Sequence, residues 1–178
     1  FRRNPFNGGF SVLAGNETLL DALTSFRFSE DDIKYLAEQK IFEQGFSDYL
    51  KDWHFTGDLY TMDEGTIIFP QEPLVRIHAN LIEAQILEGL ILNHVNFQSL
   101  IATKTARIWL ASKKAPIMEF GLRRAQGPDG AMSATRAAFI GGAAGTSNTL
   151  AGKLYGIPVM GTMAHSWVQM FPDEYTAF

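Results

Sequence analysis

The segment after residue 115 alternates apolar runs with glycine-bearing loops, and this alternation restricts the possible folds more than any other feature. Pro116–Phe120 is typical of a buried strand, Ala131–Ile140 of a helix, Asn148–Leu154 of a shorter helix and Pro158–Thr162 of a second strand. A strand, a glycine-bearing loop, a helix and a strand in this order indicate parallel α/β architecture. We therefore predict that residues 116–178 begin an α/β barrel or sheet.

Three short helices are predicted near the beginning of the chain. Asn16 is a candidate cap for the first, over Glu17–Phe26, where leucines share one face. Ser29 with Asp32 three residues later resembles a capping box, with Asp in place of the usual Glu, and predicts the start of the second. The third helix is expected at Phe46–Trp53.

Strands and a long helical region complete a mixed α+β domain, which we predict to span residues 1–115. One apolar strand is expected at Phe10–Ala14. Further strands between Gly and Pro turns suggest a meander. They are expected at 59–62, 66–69 and 74–77. Residues 81–113 carry apolar side chains three and four apart, which is typical of a helix, and an interruption near Asn93–Asn96 predicts two helices there.

Composition narrows the function classes. The chain is 46% hydrophobic with 14 Phe, enough for a buried core, and its net charge of −4 argues against a nucleic-acid partner. No run of about 18 apolar residues is present, so no membrane span is expected. The chain has no cysteine, which rules out disulfides and thiolate metal sites and fits a cytoplasmic location. The histidines lack metal-ligand spacing, so we predict no metal held by the protein alone.

Basic residues concentrate in the second part of the chain. Between residues 119 and 165 the charge is +2, against −6 for the remainder. Arg123 and Arg124 directly follow the predicted strand that ends at Phe120, and ligands of parallel α/β folds bind at such strand ends. The guanidinium fork matches carboxylate and phosphate oxygens. We interpret the pair as an anion site; the alternative is that one of the two only decorates the surface.

Other candidate features allow two interpretations. His165 follows the predicted strand Pro158–Thr162 by three residues, where a histidine serves as base, ligand or nucleophile, or else is structural. The other histidines, at positions 54, 78 and 94, are interpreted as structural. Gly141-Gly142 and Gly145-Thr146-Ser147 lead into a predicted helix, where exposed amides favour anions. Close packing explains these glycines equally well.

Several segments resemble the signature segments of nicotinate phosphoribosyltransferases. They are Glu119–Gly130, Thr146–Gly152 and Gly161–Trp167, and Asn4–Phe10 resembles a segment near the start of the same family. The resemblance covers essentially the whole chain and is densest from residue 116 to 175. The chain has neither an initiating Met nor a closing element after the sequence Phe-Pro-Asp-Glu-Tyr, so we expect it to be a fragment.

The resemblance implies a mixed N-terminal domain followed by an irregular TIM-like barrel, the type II phosphoribosyltransferase architecture. It implies condensation of nicotinate with phosphoribosyl pyrophosphate, coupled to ATP hydrolysis and assisted by Mg²⁺. His165 would be phosphorylated transiently by ATP, and Ser166 would lie near the phosphates. Phe120 would stack on the pyridine ring and Arg123, beside Arg124, would hold phosphate oxygens. Ser147 and Asn148 would lie near the pyridine carboxylate.

The resemblance also bears on substrate choice and assembly. Related nicotinamide enzymes have an acidic residue at the position matched to Asn148, where a carboxylate would repel nicotinate. Asn148 therefore favours the acid over nicotinamide or quinolinate, while a non-catalytic anion-binding module remains the alternative from another class. Family members share each active site within a homodimer. The segment that a partner supplies and the later barrel strands are missing here, so we expect the isolated piece to be inactive or poorly soluble.

Overall fold

This computed structural model describes residues 2–178. Three short helices lie near the start of this part of the chain. They are α1 (Asn16–Ser25), α2 (Glu30–Glu38) and α3 (Gln44–Lys51), and a single 3₁₀ turn at Pro5–Asn7 precedes them. The predicted capping box of α2 is confirmed: Asp32 N donates to Ser29 Oγ at 3.2 Å, and Ser29 N donates to Asp32 Oδ2 at 2.8 Å.

The predicted cap of α1 is wrong. Gly15, not Asn16, precedes the first helical residue, and the Asn16 side chain does not cap the helix. Asn16 is buried, and its Nδ2 donates to the Met62 carbonyl at 2.7 Å. A buried amide needs a hydrogen-bond partner, and Asn16 finds one in a distant loop rather than in its own helix.

Four strands of the first part form two antiparallel pairs. They are β1 (Ser11–Val12), β2 (Asp58–Thr61), β3 (Ile67–Ile68) and β4 (Val75–His78). β1 pairs with β3 and β2 pairs with β4, so the predicted meander is wrong. The pairing of β3 with β1 buries Ile68 and Val12 in the core. Burial of these side chains, which local turns do not reveal, decides the pairing.

One helix, α4 (Leu81–Ala111), runs without a break through the predicted interruption near Asn93–Asn96. Asn in a helix costs less than about 0.7 kcal/mol relative to Ala, and burial of Val95 in the core outweighs this. The first core joins this helix to α1, α3 and β3. Its fully buried side chains include Leu13, Leu19, Leu50, Ile68 and Leu87.

The chain divides inside α4 into two compact units, one ending at Leu100 and one from Ile101 to Phe178. The domain boundary predicted near residue 115 lies just beyond this helix and stays a prediction. None of the helices in residues 2–178 combines the length and apolar character needed to span a membrane.

The second unit contains the strand predicted to end at Phe120 and the two predicted helices, and it has a further strand, β6, where a loop was predicted. Its elements are β5 (Met118–Glu119), α5 (Gly127–Ile140), β6 (Gly145–Thr146), α6 (Thr149–Tyr155), α7 (His165–Val168) and α8 (Glu174–Ala177), with a 3₁₀ turn at Leu122–Arg124. β5 and β6 are parallel, and Val159 adds a parallel bridge to Thr146. The strand predicted at Pro158–Thr162 is reduced to this bridge. The architecture is therefore mixed α and β with a small parallel sheet.

Candidate functional site

The carboxyl ends of β5 and β6 lie side by side because the two strands are parallel and paired. Ser147 N donates to the Glu119 carbonyl at 3.0 Å, which carries the pairing one residue past β6. The residues that follow each strand therefore share one edge of the sheet, the place where parallel α/β folds bind ligands.

Gly145 allows a third segment to approach this edge. A Cβ at Gly145 would lie 2.7 Å from the Pro158 carbonyl oxygen and 2.6 Å from the Met160 sulfur. Thr146 N donates to that same carbonyl at 3.0 Å. Of the two interpretations of Gly145, the structure therefore supports close packing.

A cleft of about 520 Å³ opens at this edge. Its lining residues are Phe120, Leu122, Arg123, Arg124, Ser147, Gly161 and Thr162. The structure thus brings together four of the predicted site residues: Phe120 after β5, Arg123 and Arg124 in the 3₁₀ turn that follows, and Ser147 after β6. The Phe120 ring is 39% exposed and both arginines are exposed.

The chemistry of the cleft is cationic and aromatic. Two guanidinium groups and one ring line it together with the hydroxyls of Ser147 and Thr162, and no carboxylate is among the lining side chains. Guanidinium groups bind carboxylate and phosphate oxygens through paired hydrogen bonds. A flat aromatic ring binds another flat ring by stacking. A planar ring that carries or approaches anionic groups therefore fits the lining.

Asn148 lies beside the cleft without lining it. Its side chain is buried and caps α6: Ala151 N donates to Asn148 Oδ1 at 3.2 Å. Its Nδ2 donates to Thr135 Oγ1 at 3.4 Å and lies 3.5 Å from Met132 Sδ. Of the predicted pair, Ser147 faces the cleft and Asn148 supports the backbone beneath it.

His165 and Ser166 are the first two residues of α7, are exposed, and do not line the cleft. The same segment contributes Gly161 and Thr162 to the lining. The predicted histidine and serine therefore lie a few residues along the chain from the cleft, on a helix that follows directly.

The sequence interpretation missed Glu119 as part of the site. Its carboxylate accepts hydrogen bonds from Thr146 Oγ1 at 2.7 Å, from Thr135 Oγ1 at 3.0 Å and from Gly121 N. The signal that could have found it is a charged residue near the end of an otherwise apolar strand. The resemblance of Glu119–Gly130 to the family segment implies roles for Phe120, Arg123 and Arg124 but none for Glu119.

The cleft does not form a metal site by itself. Within residues 2–178, no three His, Asp or Glu side chains come together as metal ligands. Mg²⁺ prefers carboxylate and phosphate oxygens, whereas this cleft offers guanidinium groups and neutral hydroxyls. These lining side chains therefore do not fit Mg²⁺ as its ligands.

Comparison with known proteins identifies the family. Residues 1–96 match the family model of the nicotinate phosphoribosyltransferase (NAPRTase) N-terminal domain. The chain belongs to the nicotinate phosphoribosyltransferase family. It is 48% identical to the nicotinate phosphoribosyltransferase of Bacillus subtilis over 178 residues, covering 100% of this chain and 36% of that protein. It is 44% identical to one from Mycobacterium tuberculosis, covering 100% of this chain and 38% of that protein.

Solved structures extend the similarity to the fold. The crystal structure of human nicotinic acid phosphoribosyltransferase matches 96% of this chain and 35% of its own, with a TM-score of 0.87 and 38% identity. A nicotinate-nucleotide pyrophosphorylase from Pyrococcus furiosus matches 99% of this chain and 38% of its own, with a TM-score of 0.77 and 29% identity. The chain therefore spans a little over a third of the length of these family members.

Proposed function

We propose that the protein condenses nicotinate with phosphoribosyl pyrophosphate to give nicotinate mononucleotide and pyrophosphate, coupled to ATP hydrolysis, in NAD biosynthesis. The observation that carries the proposal is the cleft in which Phe120, Arg123, Arg124 and Ser147 meet. Family membership supports the reaction class. A TIM-like barrel, a homodimer with a shared active site and a cytoplasmic location complete the proposal.

The reaction is a displacement that this lining suits. The lone pair of the pyridine nitrogen attacks the anomeric carbon, and the bond from that carbon to the pyrophosphate oxygen breaks with its electron pair leaving on pyrophosphate. The ring nitrogen becomes positively charged as the sugar is transferred. Alignment of the two reactants and stabilisation of the departing charge are the main catalytic tasks.

Four side chains of the cleft have a role in this displacement. Phe120 stacks on the pyridine ring and keeps it flat. Arg123 and Arg124 supply fixed positive charge for the oxygens of the phosphates, and Mg²⁺ arrives as the complex of the diphosphate substrate. The Ser147 hydroxyl donates to the pyridine carboxylate, with the Asn148 side chain supporting its backbone.

ATP acts through His165 in this proposal. The γ-phosphoryl group of ATP is transferred to a ring nitrogen of His165, ADP leaves, and water later releases the phosphate. His165 is exposed at the start of α7 and open to a nucleotide. Ser166 beside it donates to the phosphate oxygens. Histidine is a known covalent nucleophile of enzymes.

The choice of pyridine rests on charge. A carboxylate substrate is attracted to a cleft that holds two guanidinium groups and no acidic lining side chain, whereas a neutral amide gains less. Quinolinate carries a second carboxylate and is therefore the competing substrate to compare with nicotinate.

The deciding experiment offers three pyridines to the full-length protein that carries this sequence. Nicotinate, nicotinamide and quinolinate are each incubated with phosphoribosyl pyrophosphate and Mg²⁺, with and without ATP, and the mononucleotides are separated and quantified. We expect product from nicotinate, more of it with ATP. Product mainly from nicotinamide or quinolinate would reassign the substrate. If none of the three gives product, the alternative of a non-catalytic anion-binding module would be supported.

His165→Ala tests the ATP step in the same assay. We expect the variant to lose both the stimulation by ATP and the incorporation of label from [γ-³²P]ATP while an ATP-independent rate remains. His78→Ala, a change of an exposed histidine in the first unit, is the control. Undiminished labelling of His165→Ala would contradict the assignment.

A further inference from the structure

The carboxylate of Glu119 joins three elements around the cleft. One oxygen, Oε1, accepts from the backbone N–H of Gly121 in the loop that carries Phe120 and Arg123. The other oxygen, Oε2, accepts from Thr135 Oγ1 of α5 at 3.0 Å and from Thr146 Oγ1 of β6 at 2.7 Å. The backbone carbonyl of Glu119 also accepts from Ser147 N at 3.0 Å.

The carboxylate of Glu119 also determines which atoms donate and which accept in the hydrogen bonds of Asn148. Each threonine hydroxyl has a single proton, and an ionised carboxylate can only accept. Both protons therefore point at Glu119, which leaves each hydroxyl oxygen as an acceptor. Thr146 Oγ1 accepts from Asn148 N at 3.0 Å, and Thr135 Oγ1 accepts from Asn148 Nδ2 at 3.4 Å.

This direction fixes which way the Asn148 amide faces. With its NH₂ group toward Thr135, the carbonyl Oδ1 faces α6, where it accepts from Ala151 N at 3.2 Å. Asn148, Thr135 and Thr146 are all buried, so solvent does not compete for these bonds. The backbone that presents Ser147 to the cleft is thereby held from both sides.

The loop that follows Glu119 lies against this carboxylate at Gly121. A Cβ at Gly121 would lie 2.7 Å from Glu119 Oε1, so a larger residue here would displace the carboxylate oxygen from its present position. Phe120 and the 3₁₀ turn Leu122–Arg124 flank this point of attachment on either side. The carboxylate therefore contacts the loop at a point between Phe120 and the two arginines.

We propose that Glu119 is a positioning residue, whose carboxylate fixes both the Phe120–Arg124 loop and the Asn148 amide and so places the ring-binding and anion-binding groups of the cleft relative to each other. Its effect on substrates rests on the proposed function; its effect on the loop does not. Glu119 itself is not among the residues that line the cleft.

Glu119→Gln is the central variant, made in the full-length protein. A carboxamide has one accepting and one donating group, so it cannot accept from Gly121 N and from both threonines together. We expect hydrogen–deuterium exchange of residues 120–124 to accelerate about tenfold or more, the effect of losing a charge-assisted bond. The KM values for nicotinate and phosphoribosyl pyrophosphate should both rise about 10-fold or more, with kcat changing less.

Matched variants separate positioning from general stability. Glu119→Asp keeps two accepting oxygens and should recover part of the Glu119→Gln loss. Thr146→Val removes one of the hydrogen bonds to the Glu119 carboxylate and should raise both KM values less than Glu119→Gln does. Thr146→Ser keeps the hydroxyl, so residues 120–124 should keep their protection from hydrogen exchange. Glu174→Gln, at an exposed position on α8, should match the wild type in all measurements.

The outcomes distinguish this proposal from the proposed function. Unchanged exchange of residues 120–124 in Glu119→Gln would overturn the positioning role, whatever the substrate is. Accelerated exchange in a protein that does not turn over nicotinate would support the role and refute the proposed function. If Glu119→Gln fails to fold, the Thr146 pair decides: equal KM values for Thr146→Val and Thr146→Ser would overturn the proposal.

Discussion

Phe120 presents a partly exposed ring to the cleft, and its substitution separates ring binding from anion binding. We predict that Phe120→Ala raises the KM for nicotinate about 2- to 10-fold, the equivalent of one aromatic pair, with the KM for phosphoribosyl pyrophosphate within about twofold of wild type. Phe120→Tyr should restore nicotinate binding. Phe139→Ala, a similarly exposed phenylalanine on α5 outside the cleft, is the control. Steady-state kinetics with each substrate varied would measure this, and a change confined to the diphosphate substrate would contradict it.

The guanidinium group of Arg123 lines the cleft and offers paired hydrogen-bond donors as well as charge. We predict that Arg123→Gln raises the KM for phosphoribosyl pyrophosphate about 10-fold or more, because a charge-assisted bond to phosphate is lost. Arg123→Lys should recover only part of this, since an ammonium group lacks the paired donors. Lys153→Gln removes a charge from the same basic segment without touching the cleft and should leave that KM unchanged. Full recovery by lysine would show that only charge matters here.

The capping box of Ser29 and Asp32 should stabilise the start of α2. Ser29→Ala removes the acceptor of Asp32 N and should lower the free energy of unfolding by about 1 kcal/mol. That corresponds to roughly 4–8 °C in the Tm of a unit of 100 residues. Thermal unfolding followed by circular dichroism would measure it. Ser29→Thr keeps the hydroxyl and should stay close to the wild type; an equal loss in both variants would show that the cap is not the cause.

The contact that His94 on α4 makes with α1 should depend on pH. Its Nδ1 lies 3.2 Å from Thr18 Oγ1, and burial lowers its pKa from the usual 6.5. The unfolded state therefore binds a proton more readily than the folded state, so stability falls as pH drops below about 6.5 and levels off below the folded pKa. His94→Gln keeps a hydrogen-bonding group but does not titrate, and should remove this part of the pH dependence.

Hydrogen exchange of α1 in wild type and His94→Gln at pH 7.5 and 5.0, corrected for the intrinsic effect of pH, would check this prediction. The wild type should lose protection on acidification by more than the variant does. His54→Gln, which changes an exposed histidine of the same unit, should behave as the wild type. An equal pH effect with and without His94 would contradict the assignment.

Helices were predictable because their signals are local, and strand pairing was not. Ser29 and Asp32 fix a helix start within three residues, and that prediction is confirmed. The meander was wrong because the partner of β3 lies more than 50 residues away and is selected by burial of Ile68. The break near Asn93–Asn96 was wrong because propensity is weak against burial.

The cleft was predictable in part for the same reason. Phe120, Arg123, Arg124 and Ser147 follow strands directly, so their meeting follows from parallel pairing. Local sequence does not reveal that Glu119 reaches Thr135 and Thr146, which lie 16 and 27 residues along the chain. Nor does it show that the Asn148 side chain caps a helix instead of entering the cleft.

The two units of the molecule differ in how well they bury their apolar residues. The first has a core of fully buried leucines around α4. The second buries mainly alanines and, like the first, leaves large apolar side chains of its own exposed. They include Met118, Leu122, Leu150, Leu154, Val159, Met163, Trp167 and Met170. Exposed apolar surface on this scale is usual for a surface that another part of a protein covers.

A prediction about the whole chain follows from this difference. Residues 1–178 produced alone should bind a hydrophobic dye more strongly per mole than the full-length protein, and proteolysis should begin in the second unit. Parallel sheets are normally buried on both faces, and the sheet of β5 and β6 consists of only two paired strands and one bridge. The isolated chain should therefore form no mononucleotide under conditions in which the full-length protein does. Turnover by the isolated chain at the full-length rate would show instead that these 178 residues hold a complete site.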